Sequence, residues 1–158
     1  MSKTLIVNNT PYEYPTAGDE PGWGNSATEW ATEVTNVLAD LLGPNDIIET
    51  AFNVANNQLA ASDVVGLLFN SASVRAAEIN YSIFRVSAST LSGKTETGTI
   101  LLIYDNNVGW SIGQGSILGN AGVIFTVTAG GQIQYTSSDI GSLNYTGTMK
   151  FRAKCLQQ

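Results

Sequence analysis

The sequence predicts a mainly β protein: an antiparallel β-sandwich, jelly-roll-like, with one N-terminal helix and an extended N-terminal arm. Three observations predict it. Beyond Asn45 the apolar residues recur with a period of two. Clusters of Asn, Asp, Ser and Gly punctuate that pattern at short, regular intervals. Before Asn45 there is a single stretch of helical period, preceded by a segment rich in Pro, Gly and aromatic residues.

The elements follow in chain order. Lys3-Thr-Leu-Ile-Val7 reads as a short leading strand. Pro11, Pro15 and Pro21, with Gly18, Gly22 and Gly24, keep residues 10–24 out of helix and out of any central strand. Ser26 is a good N-cap, and Glu29 three residues on completes a capping box. Ala27, Trp30, Ala31, Val34, Val37, Leu38, Leu41 and Leu42 then fall on one helical face, and Gly43-Pro44 is a stop. The expected organisation is an arm over 1–24, a helix over 25–43 and a β-body over 44–158, in one domain overall. A chain of this length buries roughly 70% of the surface it exposes when unfolded, enough for one core.

Candidate strands in the body are 47–55, 63–69, 74–86, 97–104, 108–112, 121–128, 132–136 and 145–154. Between them lie turn sequences such as Asn56-Asn57, Ser92-Gly93-Lys94, Asp105-Asn106-Asn107 and Gly130-Gly131. Gly113-Gln114-Gly115 also reads as a turn. Val64–Phe69 and Ile100–Tyr104 are apolar at successive positions, which predicts central strands covered on both faces. In the last strand Tyr145, Met149, Phe151, Ala153 and Cys155 share one face, and Thr146, Thr148, Lys150, Arg152 and Lys154 the other. In 75–85, Ala77, Ile79, Tyr81 and Ile83 alternate with Glu78, Asn80 and Ser82. Eight such strands is the jelly-roll number, but their order is not readable from sequence.

Charged residues make up 13% of the chain, about half the usual share. Ser, Thr and Asn, at 14, 16 and 14 copies, supply the polar surface instead. A surface poor in Lys and Glu is easier to bury against a partner. The charge is uneven: residues 1–50 hold eight acids and one base, while 51–158 hold five acids and six bases. The stretch Tyr12–Leu42 contains six acids and no base. Without clustered Lys and Arg to neutralise phosphates, nucleic acid is not the expected partner. No apolar run approaches the length of a membrane span or a signal-peptide core, so the expected partner is not a membrane and synthesis is expected in a cytoplasm.

Catalytic chemistry finds little to stand on. The chain has no His, the commonest general base and metal ligand. One Cys and no His make a zinc site untenable, and no phosphate-cradling glycine signature is present. Asp19-Glu20 lacks a second carboxylate placed to complete a glycosidase pair, and Glu13, Asp19 and Glu20 lack the alternation of a calcium loop. No catalytic residue, cofactor or metal is expected. Cys155 reads as a buried thiol, with a disulfide between copies as the other possibility.

The candidate residues are therefore for contact. Tyr12, Tyr14 and Trp23 stand among Pro and Gly, where aromatics give large contact area at little entropic cost. They either fold back on the body or dock on another subunit. Lys150, Arg152 and Lys154 form a basic stripe on one strand face, either solvated or meeting the acidic arm or helix, within a chain or between copies. Aromatics around Trp110 are candidates for stacking on sugar rings.

The pattern Tyr12-Glu13-Tyr14-Pro15, then Gly18-Asp19-Glu20-Pro21-Gly22-Trp23-Gly24, then Trp30-Ala31 and Val34-Thr35 resembles the N-terminal part of virion structural proteins of tailed bacteriophages. Further segments are similar: Val74-Arg75, Tyr81–Arg85, Gly98-Thr99-Ile100, Ala121–Phe125, Gly131–Ser137 and Tyr145–Ala153. In that family such modules serve as head decoration or cement proteins and within tail or fibre proteins. The resemblance implies a β-sandwich that assembles as a homotrimer, binds the major capsid protein or another virion protein, and has no catalytic residues to carry over. A short chain without a repetitive shaft fits a capsid decoration protein that braces the head shell. A tail or fibre component binding an adaptor or host-surface glycan is the alternative.

Overall fold

In the computed structural model, residues 3–7, 10–14, 23–41, 43–89 and 93–158 are described. The chain divides into two compact units, Met1–Pro44 and Asn45–Gln158.

The first unit holds a two-stranded antiparallel hairpin and the helix. Strand β1 (Lys3–Val7) pairs with β2 (Thr10–Tyr14), Leu5 opposite Tyr12 and Lys3 opposite Tyr14. Part of the expected arm is thus a hairpin. It forms a two-stranded sheet of its own. Helix α1 spans Trp23–Leu41. It starts three residues before Ser26, so Ser26 lies inside the first turn and is not the N-cap. The capping-box pattern is local, whereas Trp23-Gly24-Asn25 contains no proline to keep it from continuing the helix upstream. The stop before Gly43-Pro44 is where the sequence places it. Along the helix Ala27, Trp30, Val34 and Val37 are half-buried, while Ala31 and Leu38 are exposed.

The second unit is the sandwich. A five-stranded sheet runs in the order β3 (Ile47–Asn53), β10 (Thr146–Gln157), β5 (Val74–Val86), β6 (Lys94–Asp105), β7 (Gly109–Gly119). A three-stranded sheet runs β4 (Ser62–Leu68), β9 (Gln132–Ser137), β8 (Val123–Val127). Every pair is antiparallel. All eight expected body strands are present. The first turns follow jelly-roll winding: the last strand slots between the first and third, and the next-to-last beside the second. Then β5, β6 and β7 form a meander in one sheet, so the sheets hold five and three strands.

The core lies between the sheets. Ile79, Tyr81, Ile83, Ile100, Leu102, Met149 and Phe151 project from the larger sheet to meet Val64, Leu67, Val123, Phe125, Ile133 and Tyr135 from the smaller. Edge-to-face pairs join the layers, with Tyr81 and Phe125 5.2 Å apart between ring centroids and Phe52 and Tyr135 5.3 Å apart. The alternation read for the last strand holds, with Met149, Phe151 and Ala153 buried and Lys150, Arg152 and Lys154 exposed.

Three sequence expectations are corrected. Val64–Phe69 and Ile100–Tyr104 are covered on one face only. Val64, Leu67, Ile100 and Leu102 are buried, but Val65, Leu68, Leu101 and Ile103 are exposed, and β4 is an edge strand. An apolar run states what a strand tolerates on both faces, while coverage needs a third layer that no other element of this unit supplies. Gly113-Gln114-Gly115 is no turn but the middle of β7, where the β6 register shifts between Gly98 and Ile100. Strand glycines mark such bulges. Trp110 is only 8% exposed, packed between Phe69 at 6.4 Å and Tyr104 at 5.1 Å, so it offers no ring for stacking on a sugar. Gly131 makes that packing possible. It sits at φ +83°, and a Cβ there would fall 2.1 Å from the Phe69 carbonyl and 2.7 Å from the Trp110 indole nitrogen.

One end of the sandwich closes around a cation. Arg85 continues the inward series Ala77, Ile79, Tyr81, Ile83 and is 0% exposed. Its Nη1 donates to the Ala121 carbonyl at 2.6 Å, its Nη2 to the Ser138 carbonyl at 2.6 Å and to Asn56 Oδ1 at 3.1 Å, and its Nε to Tyr145 Oη at 3.0 Å. Tyr145 Oη in turn donates to the Val54 carbonyl at 2.8 Å. Asn56 extends the network. It accepts from the Ile140 N–H at 3.0 Å and donates to Asp139 Oδ1 at 2.7 Å. The Asp139 carboxyl is held below its ordinary range, first by the Gly141 N–H and then by Asn56. A second buried charge carrier, Glu96, accepts from Tyr81 Oη and from the Ala121 N–H, each at 2.8 Å. Among the described residues no buried side-chain polar atom lacks a partner.

Candidate interaction surface

The outward face of the five-stranded sheet is the surface the sequence singled out through Lys150, Arg152 and Lys154. The three project from β10 at alternate positions, as the period of two requires. Cross-strand register sets each opposite a residue of β5: Lys150 faces Ser82, Arg152 faces Asn80 and Lys154 faces Glu78.

Acids just after Pro44 meet the stripe from the other side. Lys150 Nζ lies 3.1 Å from Glu49 Oε1, both side chains exposed. Lys154 Nζ lies 2.5 Å from Asp46 Oδ2, and that carboxylate is buried. Asp46 Oδ1 also accepts the Cys155 N–H at 2.7 Å. Among the described residues, Lys150 and Lys154 thus each meet an acid of their own unit. Sequence counting placed Asp46 and Glu49 in the acidic first fifty residues, but both belong to the second unit. Cys155 is half-buried, its Sγ–H donating to the Asn45 carbonyl at 3.0 Å, and its thiol is pushed up to about 11 by burial and then by the Asp46 charge.

Apolar side chains flank the ions on the same face. At one end Leu156 is opposite Ala76, Ala76 opposite Ile103, and Leu101 opposite Glu78. Leu101, Ile103 and Leu156 are all at least half exposed. Ala76, Glu78, Leu101, Lys154 and Leu156 line an open depression of about 350 Å³ there. At the other end Phe84 and Leu118 stand exposed over Thr95, Thr97 and Thr148 around a second depression of about 520 Å³. The face thus reads apolar, ionic, apolar along the strands. It can cover a partner surface by apolar contact while the central charges set orientation. Its apolar half was legible in the sequence only as a sign of burial, because Leu101 and Ile103 carry no mark of which layer is missing.

Tyr12 and Tyr14 lie on β2 and Trp23 opens α1, but their side chains lie outside the described part, as do residues 15–22 between them. Among the described residues, no group of three or more Cys, Asp or Glu side chains gathers as metal ligands, and no helix is long and apolar enough to cross a membrane.

No family model matches the chain, and no curated protein sequence matches it. Two solved structures are similar over 72% of the chain. One is the tailspike protein of Acinetobacter phage vB_ApiP_P1, at 14% identity and a TM-score of 0.41, over 22% of that protein. The other is the tailspike protein of Acinetobacter baumannii phage AM24, at 12% identity and a TM-score of 0.36, over 27% of that protein. The chain spans about a quarter of the length of these two tailspikes.

Proposed function

We propose that this chain is a non-enzymatic structural module of a tailed-phage virion, held in the particle through the outward face of its five-stranded sheet. The observation that carries the reading is that face. Phe84, Leu101, Ile103, Leu118 and Leu156 are exposed on one sheet of a sandwich whose interior polar atoms are all paired. Apolar patches flanking a band of paired charges on one face are characteristic of a surface buried in an assembly. The absence of His and the use of the buried charged groups as internal ties fit a mechanical role. The virion assignment itself comes from the sequence resemblance, which admits both a head decoration protein and a tail or fibre component.

The partner is another virion protein, and a homotrimer is the assembly state carried over with the resemblance. Fractionating particles into heads and tails and probing each with an antibody to this chain decides the location. The contact surface is tested with Leu101→Asp/Ile103→Asp. That variant should fold, since both side chains are exposed, and should be lost from particles by at least about tenfold. Incorporation at wild-type level would remove the sheet face from the proposal. Turnover of a host polysaccharide by the purified protein would overturn the non-enzymatic reading.

A further inference from the structure

The second feature that the fold leaves open is an edge. Strand β7 ends the five-stranded sheet, and among the described residues no strand pairs with its outer side. Exposed sheet edges present unpaired N–H and C=O groups, and proteins usually blunt them with charges, prolines or short length. The other edges of this sandwich show such devices. Strand β3 carries Glu49 and follows directly on Asp46, β4 carries Asp63, and β8 is only five residues long. In contrast β7 runs for 11 residues with no charged residue and no proline. Its first half is regular: Gly109 to Gln114 pair without interruption with Asp105 to Ile100, and the bulge falls beyond.

We infer that the Gly109–Gln114 edge pairs antiparallel with the same segment of a second copy, joining two larger sheets into one. A two-fold contact sets a sequence against itself, so a charge near the axis, or charges of one sign along the strand, meet their own kind. An edge without charge is free of that penalty. The side chains fit as well. Ser111 and Gly113 are the outward residues of this half-strand, opposite Ile103 and Leu101. Being small, they leave those two exposed, and pairing across the edge brings the Leu101–Ile103 patches of the two copies to either side of one seam. Backbone hydrogen bonds supply the affinity, as in strand addition generally. This contact uses the edge rather than the sheet face and does not depend on the virion reading. It is compatible with a trimer when two-fold pairs join trimers, the smallest such particle holding two.

The test is the mass of the free protein against concentration, by sedimentation, for wild type and Ser111→Lys/Gly113→Lys. Both positions are open: Ser111 is exposed, and a Cβ on Gly113 meets nothing within 4 Å. The wild type should form a dimer, or a hexamer if it also trimerises. The variant should keep its unfolding midpoint and weaken the two-fold contact by about tenfold or more, giving monomers or trimers. A wild type that is monomeric or trimeric at every concentration overturns the inference, and so does any assembly unmoved in the folded variant. Should the double variant not fold, Ser111→Lys alone and hydrogen exchange of the wild type decide. Amides of residues 109–114 should gain protection as concentration rises, and concentration-independent exchange overturns the pairing.

Discussion

Two sets of cations on neighbouring strands follow the same alternation and end in opposite environments. Arg85 on β5 points between the sheets, fully buried, and ties the 54–56, 121–122 and 138–145 segments together through carbonyls, an amide and a phenol. Lys150, Arg152 and Lys154 on β10 point away from the core, with acids of β3 and the residue before it alongside. The difference teaches where a charge matters in this fold. A guanidinium without water must have its donors met by protein, so it fixes the segments that carry its acceptors. An ammonium in water gains little from a neighbouring carboxylate that the solvent would not supply.

The comparison breaks most directly at Arg85. Arg85→Ala takes the guanidinium donor from the Ala121 carbonyl and one donor each from the Ser138 carbonyl, Asn56 Oδ1 and Tyr145 Oη, and opens a cavity at one end of the sandwich. Unfolding in urea should show a loss of about 3–5 kcal/mol. A loss no greater than that of a surface lysine would refute the assignment of Arg85 as the tie. Tyr145→Phe sharpens the same point with one atom, removing the hydroxyl that accepts from Arg85 and donates to Val54. The expected cost is about 1–3 kcal/mol, measured the same way.

A pH series probes the edge of the stripe. The Cys155 thiol is pushed up to about 11 in the folded chain, first by burial. The unfolded chain loses that proton first, so the stabilisation is complete below about pH 9 and is lost as pH rises from there towards 11. Tyr81, raised by burial and by Glu96, adds to the same slope. Comparing wild type with Cys155→Ala from pH 8 to 11 should show a shallower fall in the variant, and identical slopes would discount the thiol. The smallest effect belongs to the stripe itself. Lys150→Ala removes an exposed pair with Glu49 and should change stability by about 0–1 kcal/mol, less still in high salt. A larger cost would mean that the outward cations are structural after all.

Much of this contrast was within reach of the sequence. The inward series Ala77, Ile79, Tyr81, Ile83 extends by two residues to Arg85, so strict alternation already assigns it to the core. The assignment goes against the rarity of buried arginine, which is why composition alone reads it as surface. What could not be read was its set of partners, because Asn56, Ala121, Ser138 and Tyr145 are distant in sequence and meet only through loop closure. The stripe shows the converse. Its three positions were plain, but its partners Asp46 and Glu49 counted towards the acidic N-terminal block until strand pairing set β3 beside β10. Trp110 was misread because an aromatic beside a turn looks exposed until Phe69 and Tyr104 close around it.

The sequence by itself determined that eight strands follow one helix, which faces of β5 and β10 are inward, and where the helix stops. Those properties rest on local period, proline and turn chemistry, and they depend on neighbours within a few positions. The tertiary structure alone decided which sheet each strand joins, that β5, β6 and β7 stay together, and that, among the described residues, no further element of the second unit covers the far sides of β4 and β6. An apolar residue is equally at home under a second sheet or awaiting a partner. Only the completed packing shows that Leu101 and Ile103 are still uncovered.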